Sequence, residues 1–439
     1  MSALAGTAFL SSVYERPASR LALVILVTPI LCATLLAKFG LPGFAERGIG
    51  IALPVMMGMF ALGGFARCVT IDAQRLGLYC LMVATLTLPQ LLRGEEFSTT
   101  SLLMLAAVHL PYVLEVERGH ELTQNVLRFF LAIALLLAGC AIAQYFLQGR
   151  VPLAFLFPID NLVPHEFVVQ GFNAQSPIRY GSSIYRATGM FMLEPSFLTQ
   201  CLAIAIVAEA LLFRRLWRIG VYGLGIVVAH AGTGILILLI CLPIVIVMRR
   251  RWDLLLAIGV LAVVLFLAAD LLHLETIASR ADEFSDPKSS GFARFVGGFY
   301  LFEQMLWPQP LRALFGYGAG AFMDYAYLFE REVADMPLTK MVFEFGVVGA
   351  AMYFGFLARC LMVSTLPWPL ALAIGLTFLL NGMYVPFSHA LALSLLVLTS
   401  GSRWSAVPGH SRREPEVAPD PSSIERNAWR SKPYFWQPR

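Results

Sequence analysis

Long apolar runs separated by short polar segments dominate the chain. The runs recur between Leu21 and Ser400, and each is about 17 to 25 residues long. A helix of about 20 residues spans the roughly 30 Å hydrocarbon core of a bilayer. The pattern predicts an all-α polytopic integral membrane protein with about twelve transmembrane helices, at approximately residues 21–39, 48–66, 76–92, 98–115, 122–147, 195–213, 219–230, 231–248, 253–270, 338–358, 363–380 and 384–400.

The segment that holds the seventh and eighth predicted helices is unusually short. About 30 residues separate the basic clusters 214–218 and 249–251. Because clusters of Lys and Arg favour the cytoplasmic side, this segment must enter the membrane and return. Residues 230–234, with two glycines, lie at its middle and favour a break. We therefore expect two short helices or a re-entrant hairpin, packed inside the bundle where a broken backbone is tolerated.

Composition and charge agree with a membrane protein. Of 439 residues, 58% are hydrophobic and 14% are charged, which is far from the average of soluble proteins. A net charge of +4 is too small and too dispersed to indicate a nucleic-acid partner. The seven cysteines lie in or beside apolar runs without a CxxC pair, so we expect neither a disulfide framework nor a zinc site.

The basic residues of the short loops predict the topology. Most of them fall on one side of the membrane if both termini are cytoplasmic, as the positive-inside rule requires. The two long polar loops, at about 148–194 and 271–337, then face the periplasm or the cell exterior. Residues 1–20 form a cytoplasmic N-terminus, residues 21–400 the transmembrane domain, and residues 401–439 a polar cytoplasmic tail whose composition predicts disorder.

The first external loop ends in a charged segment that leads directly into the sixth predicted helix. Pro195 favours a helix start because it has no N–H group to leave unpaired, and Glu194 suits the positive end of the helix dipole. One interpretation is a stable helix start with an interfacial arginine, Arg186. The other is an arginine placed over a lipid-borne phosphate, with a carboxylate eight residues further on.

The second external loop carries two arginines, Arg280 and Arg294. If residues 291–304 are helical, as their apolar spacing allows, Arg294 lies in the first turn of an amphipathic segment along the membrane interface. Guanidinium groups in such a place bind phosphates through two parallel hydrogen bonds. The alternative is a structural role, in which the arginines pair with Asp282, Glu283 or anionic lipid head groups.

The remaining candidates for a functional role are a run of glycines and several ionisable residues within the predicted helices. The glycine run at 316–320 follows no strand, so a tight turn is favoured over a nucleotide site. Glu344 lies about two turns inside the tenth predicted helix, where an ionisable group is a functional candidate, and Glu209 and Asp270 are candidates on the same ground. Three histidines without metal-ligand spacing are expected to hydrogen-bond between helices: His109, His230 and His389.

Taken in order, these stretches resemble the O-antigen ligase and polymerase superfamily, in particular Wzy-type exopolysaccharide polymerases. The family has a pattern of Arg, Gly, Phe and Pro at the end of its first large loop, then Ser-x-x-x-Arg and Gly-x-Gly, and last a helix ending in Glu-x-Gly-x-x-Gly. The residues that meet these patterns are Arg186, Gly189, Phe191 and Pro195, then Ser290 and Arg294, then Gly316 and Gly318, and last Glu344, Gly346 and Gly349.

The chain departs from the family pattern at two places. Residues 231–234 are a loose counterpart of a short Ser-Arg or Ser-Gly motif and lack its arginine, and Asp335 stands where the family has a histidine. The ligases of the superfamily depend on that histidine, so its absence favours a polymerase and leaves the catalytic base open. The alternatives are a glycan ligase of the same fold and a lipid-linked oligosaccharide flippase or transporter. A transporter is expected to carry polar groups at mid-depth and to show repeat symmetry.

The resemblance implies a GT-C-like bundle that joins undecaprenyl-diphosphate-linked oligosaccharide repeat units into exopolysaccharide or O-antigen, with inversion and without metal or cofactor. It also implies the bacterial inner membrane as location, and as partners the lipid-linked donor and acceptor, the bilayer, a chain-length regulator and a flippase. The predicted catalytic residues are Arg186, Arg280 and Arg294 as cations for the leaving diphosphate, and Glu194 or Asp335 as the carboxylate for the attacking hydroxyl. The predicted substrate-binding residues are Tyr180, Tyr185, Gly189, Gly316, Gly318, Lys340 and Glu344.

Overall fold

The computed structural model describes residues 20–43, 45–94, 97–116, 119–179, 181–275, 286–287, 289–328, 333–381, 389–392 and 394. The described residues are mostly helical, at 72%. The described residues all belong to one compact unit, which extends from Met1 to Gly401. The prediction of an all-α protein is therefore confirmed.

The structure gives the bounds of seventeen α-helices and two short strands in the described part of the chain. The helices are α1 (Arg20–Thr34), α2 (Ala52–Phe65), α3 (Ala73–Arg93), α4 (Thr99–His109), α5 (Gly119–Phe146), α6 (Leu153–Leu156), α7 (Pro158–Leu162), α8 (Pro195–Ala208), α9 (Leu216–Ala229), α10 (Gly232–Arg249), α11 (Trp252–Leu267), α12 (Ser290–Phe295), α13 (Gly297–Leu301), α14 (Pro310–Phe315), α15 (Ala321–Ala326), α16 (Pro337–Val363) and α17 (Trp368–Leu380). The strands are β1 (Thr70–Ile71) and β2 (Leu114–Glu115), which pair antiparallel.

Five helices in the described part are long and apolar enough to cross a membrane: α3, α5, α8 with the π-helical turn Glu209–Phe213 that continues it, α10 and α16. Shorter apolar helices, α1, α2, α4, α9, α11 and α17, lie at other predicted spans. The twelfth predicted span, 384–400, falls almost wholly outside the described residues. The number of twelve spans therefore stays a prediction.

The helical structure is interrupted between the seventh and eighth predicted helices, as expected. His230 ends α9 in the left-handed region, with a φ of 48°, and α10 begins two residues later. A Cβ atom at Gly234 would overlap the carbonyl group of Thr199, so α10 crosses α8 at the distance that only a glycine allows. The short segment thus forms two separate helices packed against α8, all of whose residues are buried.

Polar contacts collect at both ends of the bundle. At one end, which we call the loop end, residues of the two long loops contact one another and the ends of α1 and α3. At the opposite end, Arg75 donates to the carbonyl oxygen of Leu114 (3.2 Å) and Arg251 donates to that of Ala210 (2.8 Å). The two predicted external loops therefore lie at the same end of the bundle.

The two long loops contain more helix than their polar composition indicates. The first holds α6, α7 and the 3-10 turn His165–Phe167, and the second holds α12 to α15. The predicted helix at 291–304 is confirmed in outline but is divided at Val296, between α12 and α13. Ser289 starts α12 as its N-cap, because its hydroxyl accepts a hydrogen bond from the Phe292 N–H (3.1 Å).

Candidate functional site

Two glutamines, Gln144 in the last turn of α5 and Gln148 just beyond it, hold the segment that precedes α8. Gln148 exchanges two hydrogen bonds with the backbone of Tyr185 (2.7 and 2.8 Å), and Gln144 Oε1 accepts from the Thr188 N–H (2.9 Å). Gln148 follows the last residue of α5 by two positions, so both glutamines reach the same segment from the end of that helix. The backbone of Arg186 is thereby held between two fixed neighbours.

Arg186 lies against a hairpin of its own loop. Its N–H donates to the Ser176 carbonyl (2.9 Å), and its Nη2 donates to the Ile178 carbonyl (3.4 Å). The side chain is half-buried. Three residues on, a Cβ atom at Gly189 would lie 2.9 Å from the Leu137 carbonyl oxygen, so the loop passes close over α5.

Glu194 connects the first long loop to the second. Its Oε1 accepts from the Asn173 N–H (3.3 Å), and its Oε2 accepts from the Ser196 hydroxyl (3.0 Å). The same Oε2 lies 3.6 Å from Nη2 of Arg294. The glutamate side chain is 17% exposed and the arginine side chain 32%. Two of the predicted catalytic residues, from different loops, therefore form an ion pair.

A third predicted residue lies close in the fold to Arg294. The Ala334 N–H donates to the carbonyl of Ala293 (3.0 Å), which ties the segment before α16 to α12. Asp335 follows directly, is 48% exposed, and has its Oδ2 3.5 Å from Nζ of Lys340. This backbone hydrogen bond holds the segment that carries Asp335 beside the helix that carries Arg294.

Residues 315–320, which we call the glycine turn, pack against α16. The Tyr317 N–H donates to the Phe343 carbonyl (2.9 Å), and the Gly318 N–H donates to the Glu344 carbonyl (2.8 Å). The buried Glu344 carboxylate accepts from backbone N–H groups at the end of the turn and just beyond it. The expected tight turn is confirmed. The contacts of its glycines and of Glu344 are with the protein itself, and their role in substrate binding stays a prediction.

An aromatic stack supports the glycine turn. The ring of Tyr317 stacks on that of Phe343, with centroids 4.7 Å apart, and the Arg312 guanidinium lies 4.8 Å from the Tyr317 centroid. Burial raises the pKa of Tyr317. Its hydroxyl therefore stays protonated and donates to the carbonyl of Met305 (2.8 Å).

Several predicted residues lie outside the described part of the chain. These are the catalytic candidate Arg280 and the substrate-binding candidate Tyr180, and also Asp282 and Glu283, which were the expected structural partners of the loop arginines. In the described part, Arg294 contacts Glu194.

Sequence reasoning missed two charged residues at the loop end. Arg93, the last residue of α3, donates from Nη1 to the Gly316 carbonyl (2.6 Å) and from Nη2 to the Phe315 carbonyl (3.0 Å). The buried Lys38 forms an ion pair with Asp160 of α7. A basic residue near the end of a helix is visible in the sequence, but nothing in the pattern identifies a partner more than 100 residues away.

Other ionisable residues of the predicted spans have structural partners. Glu209 pairs with Arg218 at the opposite end (3.1 Å). The histidines are hydrogen-bonded, as expected: His109 to the Tyr353 hydroxyl (3.1 Å), His389 to the Tyr112 hydroxyl (3.2 Å) and His230 to the Leu272 carbonyl (2.9 Å). Among the described residues, no group of three His, Cys, Asp or Glu side chains is arranged to hold a metal ion.

A bundle of apolar helices, with charged residues from two long loops gathered at one end, defines a membrane protein whose predicted site residues lie largely at that end. The sequence pattern of the WcaD colanic acid polymerase family matches residues 55–406. This is well over half of the chain, so the protein belongs to that family. It is a polysaccharide repeat-unit polymerase, and the resemblance noted from the sequence is confirmed. No curated protein matches the chain.

Proposed function

We propose that the protein transfers a growing glycan from one polyprenyl diphosphate, undecaprenyl diphosphate in bacteria, to the non-reducing end of a second lipid-linked repeat unit. Membership of a colanic acid polymerase family supports the joining of repeat units. We place the reaction at the loop end of the bundle and on the outer face of the inner membrane, with both termini in the cytoplasm. The product is an exopolysaccharide or O-antigen.

The reaction is a single displacement with inversion. A hydroxyl oxygen of the acceptor sugar attacks the anomeric carbon of the donor, and the bond from that carbon to the diphosphate oxygen breaks. The diphosphate leaves with the electron pair, and the hydroxyl proton passes to a carboxylate of the protein. The site must therefore supply fixed positive charge for the leaving group and a carboxylate within reach of the hydroxyl.

The contact between Arg294 and Glu194 is the observation that supports this proposal most directly. The two residues come from different loops and lie 3.6 Å apart at the loop end. A carboxylate beside a guanidinium holds it in place before the substrate arrives, and preorganised charge is what stabilises a developing anion. Because about a third of the Arg294 side chain is exposed, a diphosphate can reach it. Arg186 and Arg280 are proposed to act in the same way.

Of the two candidate bases, the geometry favours Asp335. Both oxygens of Glu194 already accept hydrogen bonds, and one of them also faces Arg294. These contacts occupy both oxygens of Glu194 and leave less room for a substrate hydroxyl to approach it. Asp335 is half-exposed beside Lys340, so a substrate hydroxyl can approach it. We assign proton acceptance to Asp335 and the placement of Arg294 to Glu194.

Metal independence, topology and partners complete the proposal. We expect the polymerase activity to survive the addition of EDTA. A loss of activity in EDTA that a divalent ion restores would contradict metal independence. Cysteine labelling is expected to place residues near 170 and 310 outside and the segment after Ser400 inside. A flippase that delivers the repeat units and a chain-length regulator are the proposed protein partners.

Substitution of the two described arginines tests the mechanism. Arg294→Ala and Arg186→Ala are each expected to lower polymerisation about a hundredfold, because removing one donor to a developing anion typically costs about 3 kcal/mol. Lysine at either position is expected to restore activity only in part, since it keeps the charge but loses the planar pair of donors. Polymer length and membrane-inserted protein are measured in a strain that lacks the native gene.

Arg150 provides the matched control. It is an exposed arginine of the first long loop, and Arg150→Ala is expected to leave polymer length unchanged. Normal polymer from Arg294→Ala at a normal protein level would overturn the mechanism. If lysine served as well as arginine, the residues would only anchor the loops to lipid head groups.

A further inference from the structure

Helix α16 is broken by Gly346, whose φ of 70° and ψ of −177° are not helical. Such a break frees carbonyl groups in the turn before it, and inside a membrane protein these must find other donors. Here the carbonyls of Phe343 and Glu344 accept from the N–H groups of Tyr317 and Gly318. The glycine turn thus completes the hydrogen bonding of the broken helix.

The glycine turn and the break fit together without space for a methyl group. A Cβ atom at Gly316 would overlap the backbone of Glu344, and a Cβ atom at Gly346 would overlap the carbonyl group of Leu314. Gly316 also has a φ of 73°, which other residues rarely adopt. The relative position of the turn and the first part of α16 is therefore closely defined.

Helix α3 holds the glycine turn from the other side. The two terminal nitrogens of Arg93 donate to the carbonyls of Phe315 and Gly316, and Gln90 Oε1 accepts from the Ala319 N–H (3.0 Å). Two donors in one rigid plane fix the direction of the contact as well as its length. The turn is thus clamped between α3 and α16.

The first part of α16, residues 337–345, connects this clamp to the proposed site. Its start is tied to α12, the helix of Arg294, through the hydrogen bond from Ala334 to Ala293. It also packs on α13, because Thr339 fills the space beside Gly298. A shift of the glycine turn would therefore move Asp335 and the helix that carries Arg294.

We propose that Arg93 is a positioning residue for polymerisation. Its side chain donates to the carbonyl groups of Pro89, Phe315 and Gly316. It fixes the glycine turn, the turn fixes the first part of α16, and that part sets the positions of Asp335 and Arg294. The inference rests on the proposed function for what those two residues do. A misplacement of about 1 Å at a reacting group can cost on the order of a hundredfold in rate, so a distant clamp can control the reaction.

The test measures kcat and KM for a lipid-linked repeat unit with the purified full-length protein. Arg93→Met is expected to lower kcat about tenfold to a hundredfold and to change KM less than about threefold. Arg93→Lys, which retains one donor, is expected to recover part of kcat. Arg359→Met is the control, because Arg359 also ends in a hydrogen bond to another helix, from Nη2 to Gln74, but lies at the opposite end of the bundle.

A double-mutant cycle separates positioning from general damage. If Arg93 acts through the segment that carries Asp335, Arg93→Met lowers kcat much less in an Asp335→Asn background than in the native protein. A merely structural role gives the same factor in both backgrounds, together with a lower melting temperature and no better rate from Arg93→Lys. That result, or an unchanged kcat in Arg93→Met, overturns the proposal.

Two further variants keep the test decisive. If Arg93→Met does not reach the membrane, Gln90→Met is the second variant: it removes the acceptor of the Ala319 N–H and a donor to the Leu86 carbonyl of the same helix. It is expected to lower kcat by about threefold, and no change overturns the clamp. If Asp335→Asn alone has normal kcat, the proposed base is wrong. The loss of kcat in Arg93→Met and its rescue by lysine then still decide the positioning role.

Discussion

The two ends of the bundle use charge in different ways. At the opposite end, ion pairs join residues at most nine positions apart: Arg75 with Asp72, Arg218 with Glu209, and Arg251 with Asp253. At the loop end, Lys340 pairs locally with Asp335, but other ion pairs join residues 100 and 122 positions apart: Arg294 with Glu194, and Lys38 with Asp160. Local pairs serve to finish helices, whereas distant pairs bring separate loops together.

This difference predicts that the two ends of the bundle contribute differently to stability and to polymer synthesis. A local pair at a helix end forms whenever the helix forms, and its loss costs little when one partner is exposed to water. A distant pair exists only in the assembled protein and fixes where the loops lie. Changes at the loop end are therefore expected to affect the assembled structure or polymer synthesis strongly, and changes at the opposite end to lower stability only slightly.

The largest effect is expected from reversing the charge of Arg294. Arg294→Glu places two carboxylates together and removes the cation, so polymerisation is expected to fall about a thousandfold. Combining it with Glu194→Arg restores the ion pair and the protein level, but we expect no recovery of polymer, because the cation now lies on the wrong loop. Polymer length and membrane protein are measured together. Full recovery in the double variant would show that the pair only holds the loops.

Replacing the proposed base gives the next largest effect. Asp335→Asn keeps the size of the side chain and removes its ability to accept a proton, so kcat is expected to fall about a hundredfold. Glu194→Gln is expected to cost only about tenfold, because Glu194 places Arg294. Kinetics of both variants on a lipid-linked repeat unit distinguish the two roles. The reverse order of effects would assign proton acceptance to Glu194.

Breaking the second distant pair is expected to destabilise the protein. Lys38→Met leaves Asp160 without its partner, at a cost of about 2 kcal/mol, which is less than for a fully buried pair because Asp160 is 16% exposed. Lys38→Met combined with Asp160→Leu is expected to recover most of the loss. The melting temperature in detergent measures both. Equal melting temperatures for the single variant and the native protein would contradict a role for the pair.

The smallest effect is expected at the opposite end. Asp253→Asn removes a local pair whose carboxylate is 46% exposed, so the loss is expected to be about 0.5–1 kcal/mol with no change in polymer length. Thermal melting and polymer analysis of the same variant provide the measurement. Shorter polymer here would remove the contrast between the two ends.

Sequence patterns predicted individual elements better than their contacts. The lengths of the apolar runs predicted the helices, and the glycine-containing residues 230–234 predicted the break between α9 and α10. Both features depend on local sequence. The same reasoning singled out Arg294 and Glu194 as candidates. It did not consider Glu194 as a partner of Arg294, although the two side chains lie 3.6 Å apart. Pairing over 100 positions depends on how helices pack, which periodicity does not report.

The glycine turn shows the same limit. Its tight bend was expected from residues 316–320 alone, since glycine favours turns. The contact between this turn and Gly346 was not expected, because the glycines of the turn and Gly346 belong to two separate motifs, and each motif has a local explanation. Arg93 was missed for a related reason: a basic residue at the end of a helix is common, and its acceptors lie more than 220 positions further along the chain.

The broken helix also has a consequence for how the protein is made. The glycine turn precedes Gly346 by about 30 residues, so at roughly 5–20 residues per second the ribosome completes both within seconds of each other. Carbonyl groups that lipid cannot solvate therefore obtain their donors from the same stretch of nascent chain. Arg93 is synthesised much earlier, at the end of a helix, where water solvates its charge until the turn arrives. We expect insertion of this protein to tolerate a delay between α3 and α16, and to tolerate none between the glycine turn and Gly346.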